Sequence, residues 1–485
     1  PPLTAASRVA ITKTQTLQSA ATVKAQPHNN NAKRKETDIM TEKKNTNATS
    51  RIRLASMNGN EAASDTREKR TGRVLAVGRY ADDNDIRSGL NNNDLIIGCS
   101  GSGKTGGYVI PNIRRCHGSL IITDTKRQLY RTTAKELRSA GYKVYLLDFI
   151  EPEQSAGYNP LDYIREKKGP GKESIQYNTK DILSIAKILC PVKNMRDPFW
   201  ESSAQTVISF LMSFTLEALV PEEHDMISMV DLYRQLCDAS GGRKVIEQWC
   251  EDNPSTYAAK KYKMFCEIYD ADRTWACIQQ FVSVALNIFD TREIQNIFRC
   301  QKKARINLHK IGQEKTAIFL NVSDTDRYAD QMINLFYVQA LQTLCQDADH
   351  MPAGRLKVPV RFILDDFASN ARIEDFDKII SVIRSRNISV SVILQNLTQL
   401  NSLYSDAIAA TILNNCDHIL YLGGQDIETA NYVGTRANRT LESVLLMPPN
   451  KAYLLEKGKR GELVDKIRPY ADREYFDREK EEDRR

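Results

Sequence analysis

Eight consecutive residues have the spacing of a phosphate-binding loop, G-x-x-x-x-G-K-T. They are Gly98, Cys99, Ser100, Gly101, Ser102, Gly103, Lys104 and Thr105. Glycines in such a loop let backbone N–H groups converge on a polyphosphate, and the helix that follows adds partial positive charge at its N-terminus. Lys104 is expected to reach the β- and γ-phosphates of a nucleotide, and Thr105 to bind Mg²⁺. We therefore predict a nucleotide site here.

Such a site also needs an acidic partner at the end of a neighbouring strand. The apolar run 362–364 ends in Asp365 and Asp366. Asp365 is expected to orient Mg²⁺ through water, and Asp366 to activate the attacking water. Because an Asp that caps the end of a strand is common, this pair is specific only in combination with the phosphate-binding loop.

Two further polar positions follow the acidic pair. Gln395 ends a predicted strand over 388–394, where it would sense the γ-phosphate or position water. Arg384 and Arg386 end a predicted amphipathic helix. The inward-facing residues of that helix are Ile373, Phe376, Ile379, Ile380 and Ile383. The arginines either complete a neighbouring subunit's site as a trans-acting finger or only place favourable charge at a helix C-terminus.

A sheet must position these residues, and seven apolar or β-branched runs predict its strands. They lie at 95–98, 119–123, 143–149, 316–322, 360–365, 388–394 and 418–422. Helical patterns separate many of them, which indicates an α/β fold with a parallel sheet covered on both faces. The phosphate-binding loop lies between the first run and a helix predicted to begin near residue 106.

The pattern changes over 173–310, where helical segments such as 201–219 and 274–289 replace the alternation. We predict five regions. They are a disordered basic tail over 1–71, a first nucleotide-binding part over 72–172, an inserted all-α domain over 173–310, a second nucleotide-binding part over 311–470 and a charged C-terminal tail over 471–485. The mixed charges of this last segment suit either an exposed helix or a fraying tail.

The composition bounds the class of protein. With 485 residues we expect two domains plus a tail, and 27% charged residues with 41% hydrophobic ones are ordinary for a globular protein. No apolar run of 18 or more residues occurs, so no bilayer-spanning segment and no secretory signal is predicted. Ten scattered cysteines without C-x-x-C spacing predict reduced thiols in a cytosolic protein and no metal framework.

The positive charge belongs to one end of the chain. Residues 1–70 contain 13 Lys and Arg against 6 Asp and Glu, a net charge of +7 that equals the net charge of the whole chain. The remainder is neutral and does not predict a DNA-binding surface on the folded core. The tail either contacts anionic lipid or nucleic acid or is solvated. Met40 is a plausible initiator, which makes residues 1–39 a candidate translation artefact.

The order and spacing of several segments resemble the TraG/TraD-type coupling proteins of type IV secretion and bacterial conjugation. The matching segments are 98–111, 121–126, 158–161, 199–201, 364–367, 383–386, 394–404 and 426–430. The resemblance implies a RecA-like P-loop ATPase with ATP and Mg²⁺, active as a homo-hexamer that delivers relaxase-bound single-stranded DNA to the components of a secretion channel. It also implies that Lys104, Thr105, Asp365 and Gln395 occupy nucleotide-site positions and that Arg384 is the candidate trans finger.

This sequence departs from the family in three features. Asp366 stands where the family usually has Glu, so we expect hydrolysis to be slow or to be activated only in the assembled ring. The family's D-P-K-G-E motif is replaced by residues 124–128, which read D-T-K-R-Q. The family's N-terminal transmembrane pair has no counterpart, so either a partner anchors the protein at the inner face of the membrane or the membrane segment lies outside this chain.

Three alternatives stay open. The first is a DNA pump of the FtsK/HerA kind, which shares the RecA core. The second is a nucleotide-gated scaffold that binds ATP without sustained turnover, for which the Asp366 variant gives a reason. The third uses Cys99 as a redox switch inside the phosphate-binding loop, although a tolerated small residue is the simpler interpretation.

Overall fold

The computed structural model describes residues 72–168, 175–238, 241–269, 272–299, 304–367 and 372–482. The basic tail predicted over 1–71 lies outside these residues. Thirteen strands occur in the described residues, in chain order β1 (Arg73–Ala76), β2 (Arg79–Ala81), β3 (Asp94–Ile97), β4 (Ser119–Asp124), β5 (Lys143–Asp148), β6 (Glu166–Lys168), β7 (Ile175–Tyr177), β8 (Thr316–Asn321), β9 (Val360–Leu364), β10 (Ile388–Leu394), β11 (His418–Tyr421), β12 (Lys451–Glu456) and β13 (Glu462–Asp465).

Nine of the strands described form one sheet in the order β13-β12-β11-β3-β10-β9-β4-β8-β5. The strands from β11 to β5 are parallel to their neighbours, whereas β12 and β13 pair antiparallel at one edge. The predicted, mostly parallel sheet is therefore confirmed, and each of the seven predicted runs forms a strand. Strands such as β3, β4 and β9 are buried along their whole length, as parallel strands with both faces covered must be.

The α-helices of the described residues, in chain order, are α1 (Asp85–Ser88), α2 (Ile110–Arg115), α3 (Gln128–Ser139), α4 (Thr179–Leu189), α5 (Phe199–Ala218), α6 (Met226–Cys237), α7 (Gly242–Asp252), α8 (Tyr257–Tyr269), α9 (Asp272–Asp290), α10 (Gln295–Arg299), α11 (Leu308–Ile311), α12 (Asp330–His350), α13 (Phe376–Ile380), α14 (Leu397–Leu403), α15 (Asp406–Asn414), α16 (Ile427–Ala437), α17 (Leu441–Leu445) and α18 (Asp472–Glu482). Among them, no helix is both long enough and apolar enough to cross a membrane.

Helices cover both faces of the sheet. On one face, side chains of α2 and α3 such as Ile113 and Leu129 join Ile122 and Phe319 of the strands in one hydrophobic cluster. On the other face α12 packs against β9, and the Tyr337 hydroxyl lies within hydrogen-bonding distance of Thr123 Oγ1. This arrangement confirms the predicted α/β layers.

Eight of the described α-helices, α4 to α11, lie between β5 and β8 in the chain. The long helix α5 is buried over most of its length because its neighbours surround it, with Phe210 against Tyr262 and Phe265, and Phe214 against Trp249. The predicted helices over 201–219 and 274–289 are confirmed as α5 and α9. The short strand β7, paired with β6, also lies in the range predicted to be all-α. The domain boundaries stay a prediction.

The prediction of a single amphipathic helix that ends at Arg386 is wrong. The structure contains the short α13 and a separate 3₁₀ turn, Arg384–Arg386. Asp375 precedes α13 with φ 54°, in the left-handed region, so the backbone turns sharply before the helix begins. Ile383 is nevertheless fully buried, whereas Ile379 is only partly buried. The apolar periodicity thus identified mostly core residues but not a continuous helix.

A buried charge network holds the strand that precedes the phosphate-binding loop. Asp94, at the start of β3, accepts hydrogen bonds from Arg73 Nε at 2.7 Å and from Tyr108 Oη at 2.6 Å, and Arg361 lies 3.5 Å away. Burial disfavours the ionised carboxyl, but the two guanidinium groups outweigh it and hold the pKa of Asp94 well below its usual range. The network ties the β1–β2 hairpin and the turn after the loop to the centre of the sheet.

Candidate functional site

The phosphate-binding loop begins at the carboxyl end of β3, in the middle of the sheet. Gly98 N donates to Leu394 O at 3.1 Å, and Cys99 N donates to Gly423 O at 3.0 Å, so the ends of β10 and β11 support the loop on both sides. The acidic pair follows β9. This strand was expected to be a neighbour of β3, but β10 lies between the two. The intervening strand brings Gln395 between the loop and the acidic pair.

Two glycines give the loop its shape. Gly101 and Gly103 have φ 77° and 96°, in the left-handed region that residues with a Cβ atom rarely adopt. The loop then enters a π-helical turn, Thr105–Val109, which continues as α2. The helix start predicted near residue 106 is therefore confirmed, with a wider first turn.

Lys104 lies over the loop that carries it. Its Nζ donates to Gly98 O at 2.6 Å and to Cys99 O at 3.0 Å. Partial burial lowers the pKa of Lys104, and the carboxyl groups of Asp365 and Asp366 oppose that effect. The ammonium group is thus placed beside the loop and within the electrostatic reach of both carboxyls, where the β- and γ-phosphates of a nucleotide would lie.

Thr105 and Asp365 form the pair expected to hold a metal ion. Thr105 Oγ1 donates to Asp365 Oδ2 at 3.1 Å, and the other carboxyl oxygen accepts from Asp366 N at 3.1 Å. Burial, and to a smaller extent the neighbouring Asp366 charge, raises the pKa of Asp365 to about 6. Hydroxyl and carboxyl oxygens are the donors that Mg²⁺ prefers, and a buried carboxyl that resists ionisation without a cation fits such a site.

Asp366 and Gln395 are also brought together. Gln395 Nε2 donates to Asp366 Oδ1 at 3.4 Å, and Gln395 N donates to Gln399 Oε1 at 3.2 Å. Asp366 has φ 52°, an uncommon conformation for a residue with a Cβ atom. Strained backbone of this kind occurs where surrounding structure imposes it, often at functional sites.

These groups line a cavity of about 420 Å³. Its lining residues are Ser100, Gly101, Gly103, Lys104, Thr105, Gly106, Asp124, Thr125, Lys126, Gln128, Leu129, Asp324, Asp365, Asp366, Gln395, Pro469 and Tyr470. Cys99 is exposed and lines a smaller neighbouring cavity of about 70 Å³. Gly98 and Ser102 belong to the loop but line neither cavity.

The loop between β4 and α3 contributes residues whose role the sequence did not assign. Asp124 Oδ2 accepts from Tyr130 N at 2.8 Å, and burial raises the pKa of Asp124. Arg127 has φ 54° at the position where the related motif has Gly, and its guanidinium group pairs with Asp148 at 3.5 Å and with Glu151. The parallel strands β4 and β9 have their carboxyl ends on the same side of the sheet. The position of Asp124 at the end of a strand was therefore the signal that could have identified it as a residue of the cavity.

Arg384 is not near the other predicted site residues. Arg384 precedes β10, whereas Gln395 follows that strand. The two residues therefore lie at opposite ends of a seven-residue strand, about 20 Å apart. Arg384 Nη2 donates to Asp85 O at 3.0 Å, and its side chain is 38% exposed. Arg386 pairs with Asp349 at 2.8 Å. Within one chain, neither arginine can act on this cavity.

Comparison with known proteins identifies what the chain is similar to. The family model described as type IV secretory system conjugative DNA transfer matches residues 40–443. Protein VirD4 of Agrobacterium fabrum is 20% identical over 367 residues, which covers 72% of this chain and 50% of that protein. Conjugal transfer protein TraG of Escherichia coli is 21% identical over 320 residues, covering 62% of this chain and 48% of that protein. The chain thus spans about half the length of these relatives.

The fold is similar to solved structures of one coupling protein. The plasmid coupling protein TrwB in complex with ADP and Mg²⁺ superposes with a TM-score of 0.57, covering 86% of this chain and 94% of that chain. The same protein in complex with a non-hydrolysable ATP analogue superposes equally well, also at 13% sequence identity. At this identity the similarity shows a shared fold.

Proposed function

The chain belongs to the type IV secretory system conjugative DNA transfer family, and on this premise we propose that it is an ATP-hydrolysing DNA translocase and substrate receptor. In this role it delivers relaxase-bound single-stranded DNA to a conjugative secretion channel. The family match favours this function over a pump of the FtsK/HerA kind. One observation in this chain carries the proposal: the loop Thr105 hydroxyl and the strand-end Asp365 carboxyl meet at 3.1 Å beside the cavity.

ATP with Mg²⁺ is the proposed ligand pair. Backbone N–H groups of the loop would bind the phosphates, with Lys104 at the β- and γ-phosphates. Thr105 and, through water, Asp365 would hold Mg²⁺, which neutralises charge on the phosphate oxygens when it is bound. Relatives of the same fold support this assignment, since TrwB was solved in complex with ADP and Mg²⁺.

Asp366 is the proposed general base for the attacking water, and Gln395 orients its carboxyl group. Gln395 Nε2 donates to Asp366 Oδ1, and this hydrogen bond would hold the carboxyl group in the direction from which it accepts a proton of the attacking water. Asp is one methylene shorter than the Glu usual in the family, so the attacking water must approach more closely. We therefore propose that turnover of the isolated chain is slow.

The proposed active form is a homo-hexameric ring with DNA in its channel. Contacts in such a channel are mostly electrostatic and independent of sequence. Arg384 would complete the site of a neighbouring subunit, and its partial exposure at the sheet edge opposite its own cavity leaves it accessible to another copy. The proposed place of action is the inner face of the bacterial membrane, where a DNA-exporting channel opens, with an anchoring partner.

ATP hydrolysis measured with and without single-stranded DNA tests this proposal. Wild-type chain should hydrolyse ATP faster with DNA, and Lys104→Ala should abolish the activity. Lys459→Ala is the matched control, since Lys459 is 64% exposed in the turn after β12. ATP binding without hydrolysis under any DNA condition would contradict a motor and support the nucleotide-gated scaffold. Alkylation of Cys99 with full retention of activity would exclude a redox switch in the loop.

A further inference from the structure

The segment 466–471, here called the strap, joins β13 to α18 and crosses the phosphate-binding loop. Lys466 Nζ donates to Leu422 O at 2.5 Å and lies 3.4 Å from Ser102 O. Pro469 and Tyr470 line the cavity together with the loop. The strap contains the last residues of the second nucleotide-binding part predicted over 311–470, and it forms one wall of the cavity.

The strap packs closely on three glycines of the phosphate-binding loop and of the turn that follows it. A Cβ atom on Gly103 would lie 3.0 Å from Pro469 Cγ, and one on Gly106 would lie 3.0 Å from both the Pro469 and the Tyr470 side chains. A Cβ atom on Gly107 would lie 2.8 Å from Ile467 O. Because these residues have no Cβ atom, the strap can approach them closely. This is a role in addition to any role in binding phosphate.

A hydrogen bond fixes Tyr470 to the loop for a reason visible in the sequence. In a π-helical hydrogen bond the N–H donates to the carbonyl five residues earlier, as Ile110 N does to Thr105 O at the end of this turn. The donor for Gly106 O would be residue 111, which is proline and has no N–H. Tyr470 N takes that place and donates to Gly106 O at 3.1 Å.

The Tyr470 ring is exposed although its backbone is fixed. The residue is 61% exposed, and its hydroxyl accepts a hydrogen bond from Gln128 Nε2 at 3.2 Å. The backbone adopts φ 62°, an uncommon and strained conformation for a tyrosine. A large aromatic ring is thus held at the rim of a polar cavity, where it is not part of the hydrophobic core.

The position of the ring indicates what it would contact. Lys104, Thr105 and Asp365 mark the end of the cavity where the β- and γ-phosphates would lie. Gly106 follows Thr105 in the chain and would therefore lie towards the α-phosphate. Beyond the α-phosphate a nucleotide continues as ribose and base. We propose that Tyr470 is the residue that stacks on the nucleobase and thereby distinguishes a nucleoside triphosphate from a bare polyphosphate. This inference rests on the proposed function, because it requires that the cavity binds a nucleotide.

Both ends of the strap are anchored, so the ring is positioned before a ligand binds. Val77 N donates to Asp465 O at 2.9 Å immediately before the strap. Asp472 immediately after it is fully buried and accepts from Arg114 Nη1 with both oxygens at 2.7 Å. A contact surface that is already fixed loses less conformational freedom when it binds.

Binding of MgATP and of magnesium tripolyphosphate, measured by competition with a fluorescent ATP analogue, tests the inference. Tyr470→Asn is the informative variant, because Asn tolerates φ 62° and removes the ring without backbone strain. It should lose at least about fivefold affinity for MgATP, the lower end of base-stacking effects, and little for tripolyphosphate. Tyr470→Phe should bind both as wild type does. Tyr257→Ala in α8 is the matched control.

The outcomes separate the two proposals. Wild-type chain that binds MgATP, together with a Tyr470→Asn variant of unchanged affinity, would overturn the stacking role alone. Equal losses for MgATP and tripolyphosphate would also overturn it, because the ring would then only support the loop. A wild-type chain that fails to bind MgATP would overturn the proposed function and this inference with it.

Discussion

Replacement of Asp365 by Asn should make the protein more stable while it destroys the activity. Asp365 is buried, and its pKa lies near 6 rather than at the ordinary value of 3.8. A carboxyl whose pKa is raised on folding holds its proton more tightly in the folded state. The folded state therefore loses stability as the pH rises from about 4 to about 6. Asn keeps a carbonyl acceptor for Thr105 Oγ1 but has no proton to lose.

The size of the effect follows from the two pKa values. They differ by about 2, and each pKa unit corresponds to about 1.4 kcal/mol, so ionisation of Asp365 costs the wild-type chain about 3 kcal/mol at pH 7.5. About 1 kcal/mol of that cost is already present at pH 4.5. The stabilisation of Asp365→Asn over wild type should therefore grow by about 2 kcal/mol between pH 4.5 and pH 7.5.

Urea unfolding of both proteins at the two pH values, without nucleotide or Mg²⁺, measures this growth. Asp252→Asn, which removes an exposed carboxyl at the end of α7, is the matched control and should show no such growth. The same Asp365→Asn protein should lose Mg²⁺-dependent ATP hydrolysis. A variant that is destabilised equally at both pH values would refute the reasoning, because Asp365 would then stabilise the apo fold through its charge.

Three further outcomes follow from the same geometry. Asp366→Glu should raise kcat by about 10- to 100-fold, because the longer side chain reaches the water at its usual distance; a lower kcat with unchanged KM would show that Asp is the better base here. Gln395→Ala should lower kcat by about 100-fold and leave KM nearly unchanged, as steady-state kinetics would show, whereas a rise in KM alone would make it a binding residue. Arg384→Ala and Lys104→Ala should each be inactive alone but should recover activity when mixed, if Arg384 acts in a neighbouring subunit's site; no recovery in a confirmed mixed oligomer would contradict the trans role.

The sequence predicted the sheet and the loop well, because each depends on local signals. Continuous apolar runs identify buried parallel strands, and the loop octet has a fixed spacing around Lys104. The positions of Asp365, Asp366 and Gln395 at the cavity were also predictable, since each lies at the end of a predicted strand or directly after it. The order of strands in space is not a local property, which is why the position of β10 between the loop and the acidic pair was not predicted.

The strap could not be predicted for a related reason. Tyr470 is 364 residues from Gly106 in the chain, and a Pro-Tyr dipeptide has no motif that indicates a nucleotide site. The C-terminal charged segment was expected to be an exposed helix or a fraying tail; α18 forms there, but its first residue, Asp472, is buried against Arg114. An isolated ion pair between distant residues has no signature in composition or periodicity.

Movement along DNA is the central activity proposed for this chain, and displacement of streptavidin from biotinylated single-stranded DNA measures it directly. The wild-type chain, assembled on the DNA, should displace streptavidin only when MgATP is present. Lys459→Ala should do the same, and Lys104→Ala should not. DNA-stimulated hydrolysis of ATP by the wild-type chain without any displacement would contradict a translocase and leave a nucleotide-driven docking role.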